Sequence, residues 1–322
     1  MDPLNFPRRI STSIEGSSLF ASNAGSIFLR MDSTFMCLCL HFYIRVFFLS
    51  LFYSQILMKG FHNFGNTCYF NTSLQCLLHI PCLSNHFIEH RYDGPCEFTK
   101  MYSNLTRFFW NISDTQPIDV SLLRRLFQAK FPRFVDHEQH DIQETVLCII
   151  DILERAVPLI KQWFYGKKIQ QTIWPGGKSE RVEDFSVHIL CSRNATLEEM
   201  LHDSVKWNTL TDFVDDDGHT HHIATTRCMF SELPKVLMIS FDKKSHIDIS
   251  DKIFMNQFEY TLVASGIHVG VQFGGHYVAF TKHRGKWYYK NDEHVVEQEL
   301  PIRAGHYLLV YNLKTPSSQC SP

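Results

Sequence analysis

One cysteine stands between a tight turn and a helical run in the stretch Gly60–Gln75, which reads GFHNFGNTCYFNTSLQ. Gly65 and Asn66 accept left-handed backbone and favour a turn before Cys68. The apolar residues that follow recur at helical spacing until Pro81: they are Phe70, Leu74, Leu77 and Leu78. Cys68 is therefore predicted at a helix N-terminus, where unpaired N–H groups and the helix dipole favour a thiolate. Free cysteine is also commonly a small core residue, so catalysis requires a base elsewhere.

A candidate base lies in the segment Phe273–Asp292, which reads FGGHYVAFTKHRGKWYYKND. Residue types alternate after His276, Gly285 follows as a turn residue, and Trp287 begins a second run. This pattern predicts two antiparallel strands joined by a tight turn. The returning strand brings the amide and the acid at its end back beside His276.

The chemistry of a thiol nucleophile assigns roles to these residues. A cysteine needs a histidine to take its proton, and the histidine needs an oxygen to orient its ring. We therefore predict Cys68 as the nucleophile, His276 as the base and Asn291 as the orienting group. Asp292, next in the chain, is a second candidate for the orienting role. Taken alone, His276 is as well explained as an ordinary core or surface histidine, so the prediction rests on both segments together.

With these residues, the chain resembles the ubiquitin-specific protease family of papain-like cysteine deubiquitinases. Gly60–Gln75 is similar to the family's cysteine box, Glu138–Thr145 (EQHDIQET) to its Gln-Gln-Asp box, and Gly274–Asp292 to its histidine box. The order and wide separation of the boxes also match, and the resemblance covers roughly Gly60–Leu313. It implies an α+β, papain-like fold with a helical thumb lobe and an antiparallel-sheet palm.

Hydrophobic periodicity gives the same plan, with helices first and strands later. The predicted helices are Asp119–Phe131, Asp136–Val157 and Thr196–Val205. Asp136 with Gln139 and Thr196 with Glu199 resemble capping boxes at two of these helix starts. The predicted strands are Lys235–Phe241, Gly275–Lys282, Gly285–Tyr289 and His306–Asn312.

The resemblance also implies further site residues. It places Asn63 as a side-chain donor to the oxyanion, with the backbone N–H of Cys68 as the second donor. It implies that the C-terminal tail of ubiquitin is bound by Gln139, Asp141, Glu144, Gly275 and Tyr277. The two acids would pair with the arginines of that tail. An ordinary solvated helix face is the alternative for the acids.

Several positions depart from the family pattern. His140 stands where the family has a second Gln, and Lys290 replaces an aromatic residue. The two Cys-x-x-Cys pairs of the zinc ribbon are missing, so shortened fingers are expected. The stretches Trp174–Lys178 and Asp215–Cys228, where those pairs would fall, are predicted as polar loops. The His- and Asp-rich Asp215–His222 is predicted as a solvated loop, and neither a metal nor another cofactor is expected.

Composition limits the classes of function and the cellular locations that fit this chain. The chain has 322 residues and a net charge of −2, which argues against nucleic-acid binding. Its ten cysteines show no framework spacing, which indicates a reducing, intracellular location in cytoplasm or nucleus. We divide the chain into an N-terminal extension (1–58), a catalytic domain (59–314) and a disordered tail (315–322). The extension contains the apolar run Phe35–Met58, which is interrupted by Arg45. Three interpretations of this segment are open: a membrane anchor, an arm packed on the catalytic domain, or a non-native start.

Taken together, the sequence predicts a monomeric, thiol-dependent deubiquitinase that acts on ubiquitin and ubiquitinated proteins. Three alternatives remain open. The first is a catalytically weak or inactive ubiquitin-binding module, and the second is a protease for a ubiquitin-like modifier. The third is an adaptor associated with membranes through residues 35–58.

Overall fold

The computed structural model describes residues 58–111, 116–135, 138–193, 195–242, 246–271 and 274–314. These residues belong to one compact unit, Gln55–Pro322. The proposed extension up to residue 57 and the tail 315–322 lie outside the described residues. Within the described ranges, no helix combines the length and the apolar character required to span a bilayer.

The N-terminal half of the described chain is a helical lobe. Its core is formed by the apolar faces of the longer helices, with buried residues such as Phe70, Phe127 and Ile149. The helices are α1 (Cys68–Leu78), α2 (Pro81–Glu89), α3 (Glu97–Asn111), α4 (Ser121–Lys130), α5 (Ile142–Ala156) and the short α6 (Lys161–Phe164). Helix α4 lies inside the predicted Asp119–Phe131 and ends before Pro132, as a proline requires.

The start of α5 corrects the predicted helix Asp136–Val157. The helix begins at Ile142, and its N-cap is Asp141, whose carboxylate accepts from the backbone N–H groups of Gln143 and Glu144. Gln139 lies before the helix and donates to the carbonyl oxygen of Gly275 instead of completing a capping box. The acid at position 136 is outside the described residues. Both Asp136 and Asp141 are suitable N-cap residues, and the spacing to Gln139 led to the prediction of the earlier one.

A large, mainly antiparallel sheet forms the second lobe. Its strands are β3 (Val187–Leu190), β6 (Val236–Phe241), β8 (Lys252–Met255), β9 (Phe258–Val271), β10 (Gly274–His283), β11 (Lys286–Asn291), β12 (His294–Glu297) and β14 (His306–Leu313). They pair in the order β12-β11-β10-β9-β14-β6-β3, with β8 paired to β9, and among these described strands only β3 and β6 are parallel. Helix α1 packs directly against β10, and this contact joins the two lobes.

These strands confirm the four predicted from the sequence, within one or two residues at each end. The capping box at Thr196 is also present at the start of α7 (Leu197–Ser204). A two-stranded ladder of β7 (Ile247–Asp248) and β13 (Arg303–Ala304) lies outside the large sheet.

A separate four-stranded antiparallel sheet includes the two stretches where the fingers were predicted. Its strands are β1 (Gly166–Trp174), β2 (Gly177–Phe185), β4 (Asn208–Val214) and β5 (Thr220–Glu232), and they pair in the order β2-β1-β5-β4. The two predicted polar loops are therefore mostly wrong. Trp174–Lys178 contains a tight β1–β2 turn, and only the first part of Asp215–Cys228 is a turn, because its remainder belongs to β5. Strands β2 and β4 are largely exposed on both faces, which hides the alternation that marks a half-buried strand.

Candidate active site

Cys68 is the first residue of α1 and is almost fully buried, with 1% of its surface exposed. Gly65 and Asn66 before it have φ angles of 89° and 48°, the left-handed backbone predicted from their residue types. No side-chain oxygen caps the helix, although Thr67 stands at the cap position. The backbone N–H of Phe70 donates to the carbonyl oxygen of Thr67 at 3.0 Å, and the positive end of the helix dipole lies at the thiol.

His276 lies on β10 and contacts both of its predicted partners. Its Nε2 is 2.7 Å from the Oδ1 of Asn291, which accepts the ring proton at the end of β11. This leaves Nδ1 for the hydrogen bond with Cys68. That hydrogen bond is the main cause that raises the pKa of His276 to about 9, while partial burial opposes the shift. The hydrogen bond that the ring donates to Asn291 and the charge of Asp292 act in the same direction as Cys68.

Asp292 takes a different role from the orienting one. It has a left-handed φ of 50° and a side chain that is 11% exposed. Its Oδ1 accepts from the amide of Asn71 at 2.7 Å, and its Oδ2 accepts from the amide of Asn63 at 2.7 Å. The distance from Oδ2 to the Nε2 of His276 is 3.8 Å, longer than a hydrogen bond. The carboxylate therefore holds two amides and lies near the imidazole without replacing Asn291.

Asn63 is fixed on both sides of its amide group. Its Oδ1 accepts from the backbone N–H of Gly65 at 2.9 Å and from the hydroxyl of Thr67 at 3.0 Å. Its Nδ2 donates one hydrogen to Asp292. Since the oxygen faces donors and the nitrogen faces a carboxylate, the orientation of the amide is determined by its neighbours. The amide nitrogen carries a second hydrogen, which remains for another acceptor.

The structure gives the proposed tail-binding acids partners from within the chain. Asp141 caps α5 and also accepts from the hydroxyl of Tyr307. Glu144 pairs with the Nε of Arg133 at 2.6 Å, and both side chains are about half exposed. A further Arg133 nitrogen lies 3.1 Å from the sulfur of Cys148.

The other proposed tail-binding residues lie between the two lobes. Gln139 donates to the carbonyl oxygen of Gly275, one residue before His276. Tyr277 is buried, and burial together with the charge of Asp141 raises its pKa. A side chain at position 275 would collide with the ring of His268, so this glycine is required by packing. These contacts place the residues beside the catalytic set, and their binding of a tail remains a prediction.

The His- and Asp-rich segment forms a turn at the tip of the fingers. Oxygen and nitrogen atoms of Asp215, Asp217 and His219 lie within 4.8 Å of one another. The carboxylate of Asp215 is already used, because it accepts from the backbone N–H groups of Asp217 and His219 and from the ring of His221 at 2.8 Å. These bonds describe a turn stabilised by one aspartate.

Four residues of the site were not predicted. Asn71 holds Asp292, Thr67 holds Asn63, Tyr307 holds Asp141, and Arg133 pairs with Glu144. Asn71 had a detectable signal, because it lies three residues after Cys68 and so on the same helical face. Tyr307 and Arg133 reach the site from distant or irregular segments, and no local pattern indicates them.

The arrangement of a thiol, an imidazole and an amide oxygen across two lobes resembles that of papain-like cysteine hydrolases. The chain belongs to the ubiquitin carboxyl-terminal hydrolase family, whose model matches residues 59–311. This confirms the resemblance to the ubiquitin-specific proteases and the α+β, papain-like fold class.

Individual relatives are distant. Ubiquitin carboxyl-terminal hydrolase 2 of Homo sapiens is 24% identical over 81% of this chain and 56% of its own length. Ubiquitin carboxyl-terminal hydrolase 9 of Arabidopsis thaliana is 29% identical, over 33% of this chain and 12% of its own. The chain thus spans little more than half of the first relative and much less of the second.

Solved structures agree on the fold. A chain in the structure of the SAGA Ubp8/Sgf11/Sus1/Sgf73 DUB module bound to ubiquitin aldehyde aligns with a TM-score of 0.70 and 20% identity. The alignment covers 81% of this chain and 70% of that chain.

Proposed function

We propose that the chain is a thiol-dependent deubiquitinase, which hydrolyses the isopeptide or peptide bond after the C-terminal glycine of ubiquitin. The observation that carries the proposal is the double contact of His276, with the thiol of Cys68 on one side and the amide oxygen of Asn291 on the other. An inactive ubiquitin-binding module has no need for this arrangement. Family membership and the ubiquitin aldehyde named in the similar structure support ubiquitin as the substrate.

In the proposed reaction, His276 takes the thiol proton and Cys68 attacks the carbonyl carbon of the terminal glycine. The raised pKa of His276 favours the protonated imidazolium that this transfer produces. The imidazolium then gives its proton to the leaving amine as the carbon–nitrogen bond breaks. Water hydrolyses the resulting thioester, with His276 again as base, and ubiquitin leaves with a free carboxylate.

The oxyanion formed in both steps is stabilised by two N–H groups. One is the second amide hydrogen of Asn63, and the other is the backbone N–H of Cys68 at the uncapped start of α1. Because Asp292 and Thr67 hold the Asn63 amide before substrate binds, the donor needs no reorganisation during the reaction. One such donor contributes about 2.7–4 kcal/mol in comparable enzymes.

The tail of ubiquitin is proposed to lie between α5 and β10. Gln139, Gly275 and Tyr277 border this path, and Glu144 offers a carboxylate once a tail arginine displaces Arg133. Asp141 contributes mainly by capping α5, because its oxygens already accept three hydrogen bonds. We further propose a monomer in a reducing intracellular compartment, in line with the seven free cysteines among the described residues.

The test is hydrolysis of a fluorogenic C-terminal amide of ubiquitin. Matched amides of ubiquitin-like modifiers are assayed separately to compare the two substrate classes. The proposal expects cleavage of the ubiquitin amide, loss of cleavage in Cys68→Ala, and unchanged ubiquitin binding by that variant. Preferential cleavage of a ubiquitin-like amide would reassign the substrate. Binding without cleavage by the folded wild type would make the chain a ubiquitin-binding module.

A further inference from the structure

A buried polar cluster lies behind the catalytic groups, where Lys290 replaces the aromatic residue of the family pattern. Lys290 is 2% exposed, Gln75 3%, His79 5% and Lys59 0%. Charged side chains are rarely buried to this extent unless they are paired. The cluster takes no part in the reaction steps above, so the presence of these polar side chains in the core requires a separate explanation.

Lys290 is surrounded by acceptors. Its Nζ donates to the Oε1 of Gln75 at 2.8 Å and lies 3.4 Å from the Nε2 of His79. The Nδ1 of His79 is 2.7 Å from the carbonyl of Gln75, so it carries the ring hydrogen and leaves Nε2 as an acceptor. The ring of Phe109 lies on the third side, 4.8 Å from the nitrogen. The amine therefore has three partners in place of water.

Gln75 extends the connection to a third segment. While its Oε1 accepts from Lys290, its Nε2 donates to the carbonyl oxygen of Lys59 at 2.9 Å. The side chain of Lys59 is anchored in turn by the carbonyl of Phe109 at 2.9 Å. One glutamine on α1 thus binds the strand end that carries Asn291 and the segment that leads to Asn63.

The geometry repeats on α1. Asn71 binds Asp292, and Gln75, four residues further along the helix, binds Lys290, two residues earlier in the chain. Four residues of helix rise about 6 Å and two residues of strand about 6.6 Å, so the two bonds have matching spacing. They fix the position of β11 along α1, and hence the position of Asn291 relative to Cys68.

We infer that Lys290, acting through Gln75, is a positioning residue that sets the relative placement of the Cys68, Asn291 and Asn63 segments for catalysis. The inference rests on the proposed hydrolase activity. It does not require Lys290 to touch substrate, and it gives a reason for a lysine amine in a buried position. The ionisable groups that face it are Lys59, Cys76, His79 and His283, and burial lowers the pKa of Lys290 well below its usual value.

The experiment compares Lys290→Met with the double variant Lys290→Met/Gln75→Met, and uses Lys286→Met as a matched control. Lys286 lies on the same strand but is exposed and pairs with Glu297. The single variant leaves the Oε1 of Gln75 without a donor in the core, which destabilises it, whereas the double variant removes that buried acceptor as well and recovers part of the stability. Thermal unfolding measures this recovery. The double variant therefore keeps the test open if the single variant does not fold.

The decisive readout is kcat per active site, titrated with a ubiquitin C-terminal electrophile. The inference expects kcat of the double variant to fall about 10- to 100-fold with KM within about twofold, since small misplacements of catalytic groups have effects of this size. It also expects the alkaline limb of the pH profile to move to lower pH, because a displaced Asn291 supports the imidazolium of His276 less well. Wild-type kcat and an unmoved limb in the stable double variant would overturn the inference. A wild-type enzyme that does not react at all would instead overturn the proposed function.

Discussion

Removal of the Asp292 carboxylate tests how the oxyanion donor is held. Asp292→Ala removes two 2.7 Å hydrogen bonds, one from Asn63 and one from Asn71. The amide nitrogen of Asn71 keeps a second acceptor, the carbonyl oxygen of His62 at 3.2 Å. The amide nitrogen of Asn63 has no second acceptor among the described residues, so it loses its hydrogen bond. A hydrogen bond to a charged group contributes about 1.5–3 kcal/mol. We therefore expect the free energy of unfolding to fall by about 1–3 kcal/mol.

The effect on catalysis should be larger than the effect on stability explains. Loss of an entire oxyanion donor lowers kcat by about 10²–10³-fold. Asp292→Ala leaves Asn63 in place but unsupported, so kcat should fall by about 10- to 100-fold, less than in Asn63→Ala. Asp292→Asn keeps one accepting oxygen and should lie between Asp292→Ala and the wild type.

The assay is steady-state hydrolysis of a fluorogenic ubiquitin amide at a temperature where circular dichroism shows every variant folded. Glu293→Ala is the control, because this neighbouring acid is exposed and binds only the ring of His62 within the described site. Its kcat should stay within about twofold of the wild type, as expected for an exposed pair. The reasoning is refuted if Asp292→Ala keeps a kcat within about threefold of Glu293→Ala while Asn63→Ala loses about a hundredfold.

Three further outcomes follow from the same contacts. The pKa of His276 is raised from 6.5 to about 9, mainly by Cys68, so the stability it contributes is complete below pH 6.5 and is lost as pH rises through about 9. The ring titration, followed by NMR, should accordingly move to lower pH in Cys68→Ala; an unchanged midpoint would contradict this pair. Arg133→Ala should lower KM for ubiquitin substrates by freeing Glu144, with less than about 1 kcal/mol change in the free energy of unfolding, since the pair is exposed. A higher KM would mean that the arginine contacts substrate instead. Finally, EDTA should leave the melting temperature and kcat unchanged, because hydrogen bonds within the turn already use the carboxylate of Asp215; a chelator-dependent loss restored by zinc would show a metal at the fingers.

The parts of the fold that sequence predicted are those specified by local chemistry. The β10–β11 hairpin follows from alternation around Gly285, whose φ of 81° makes the turn. The turn before Cys68 follows from the residue types of Gly65 and Asn66. The capping box at Thr196 depends on residues three apart. In each case the interaction that defines the structure lies within a short window of the chain.

The parts that sequence missed depend on contacts between distant segments or on surfaces without a clear apolar face. Strand β2 is exposed along most of its length, so no alternation marks it. The contacts of Asn71 and Lys290 become visible only when α1 lies beside the end of β11. The family resemblance identified Lys290 as a departure from the usual aromatic residue, but the acceptors for its buried amine are on another element.

The central claim is that Cys68 is a nucleophile activated by His276 for attack at the C-terminus of ubiquitin. Intact-mass spectrometry after exposure to ubiquitin bearing a C-terminal electrophile, followed by peptide mapping, tests it most directly. The account predicts one ubiquitin per chain, attached at Cys68, with no adduct in Cys68→Ala and a much slower reaction in His276→Ala. Attachment at another of the ten cysteines, or no adduct from folded wild-type protein, would contradict it.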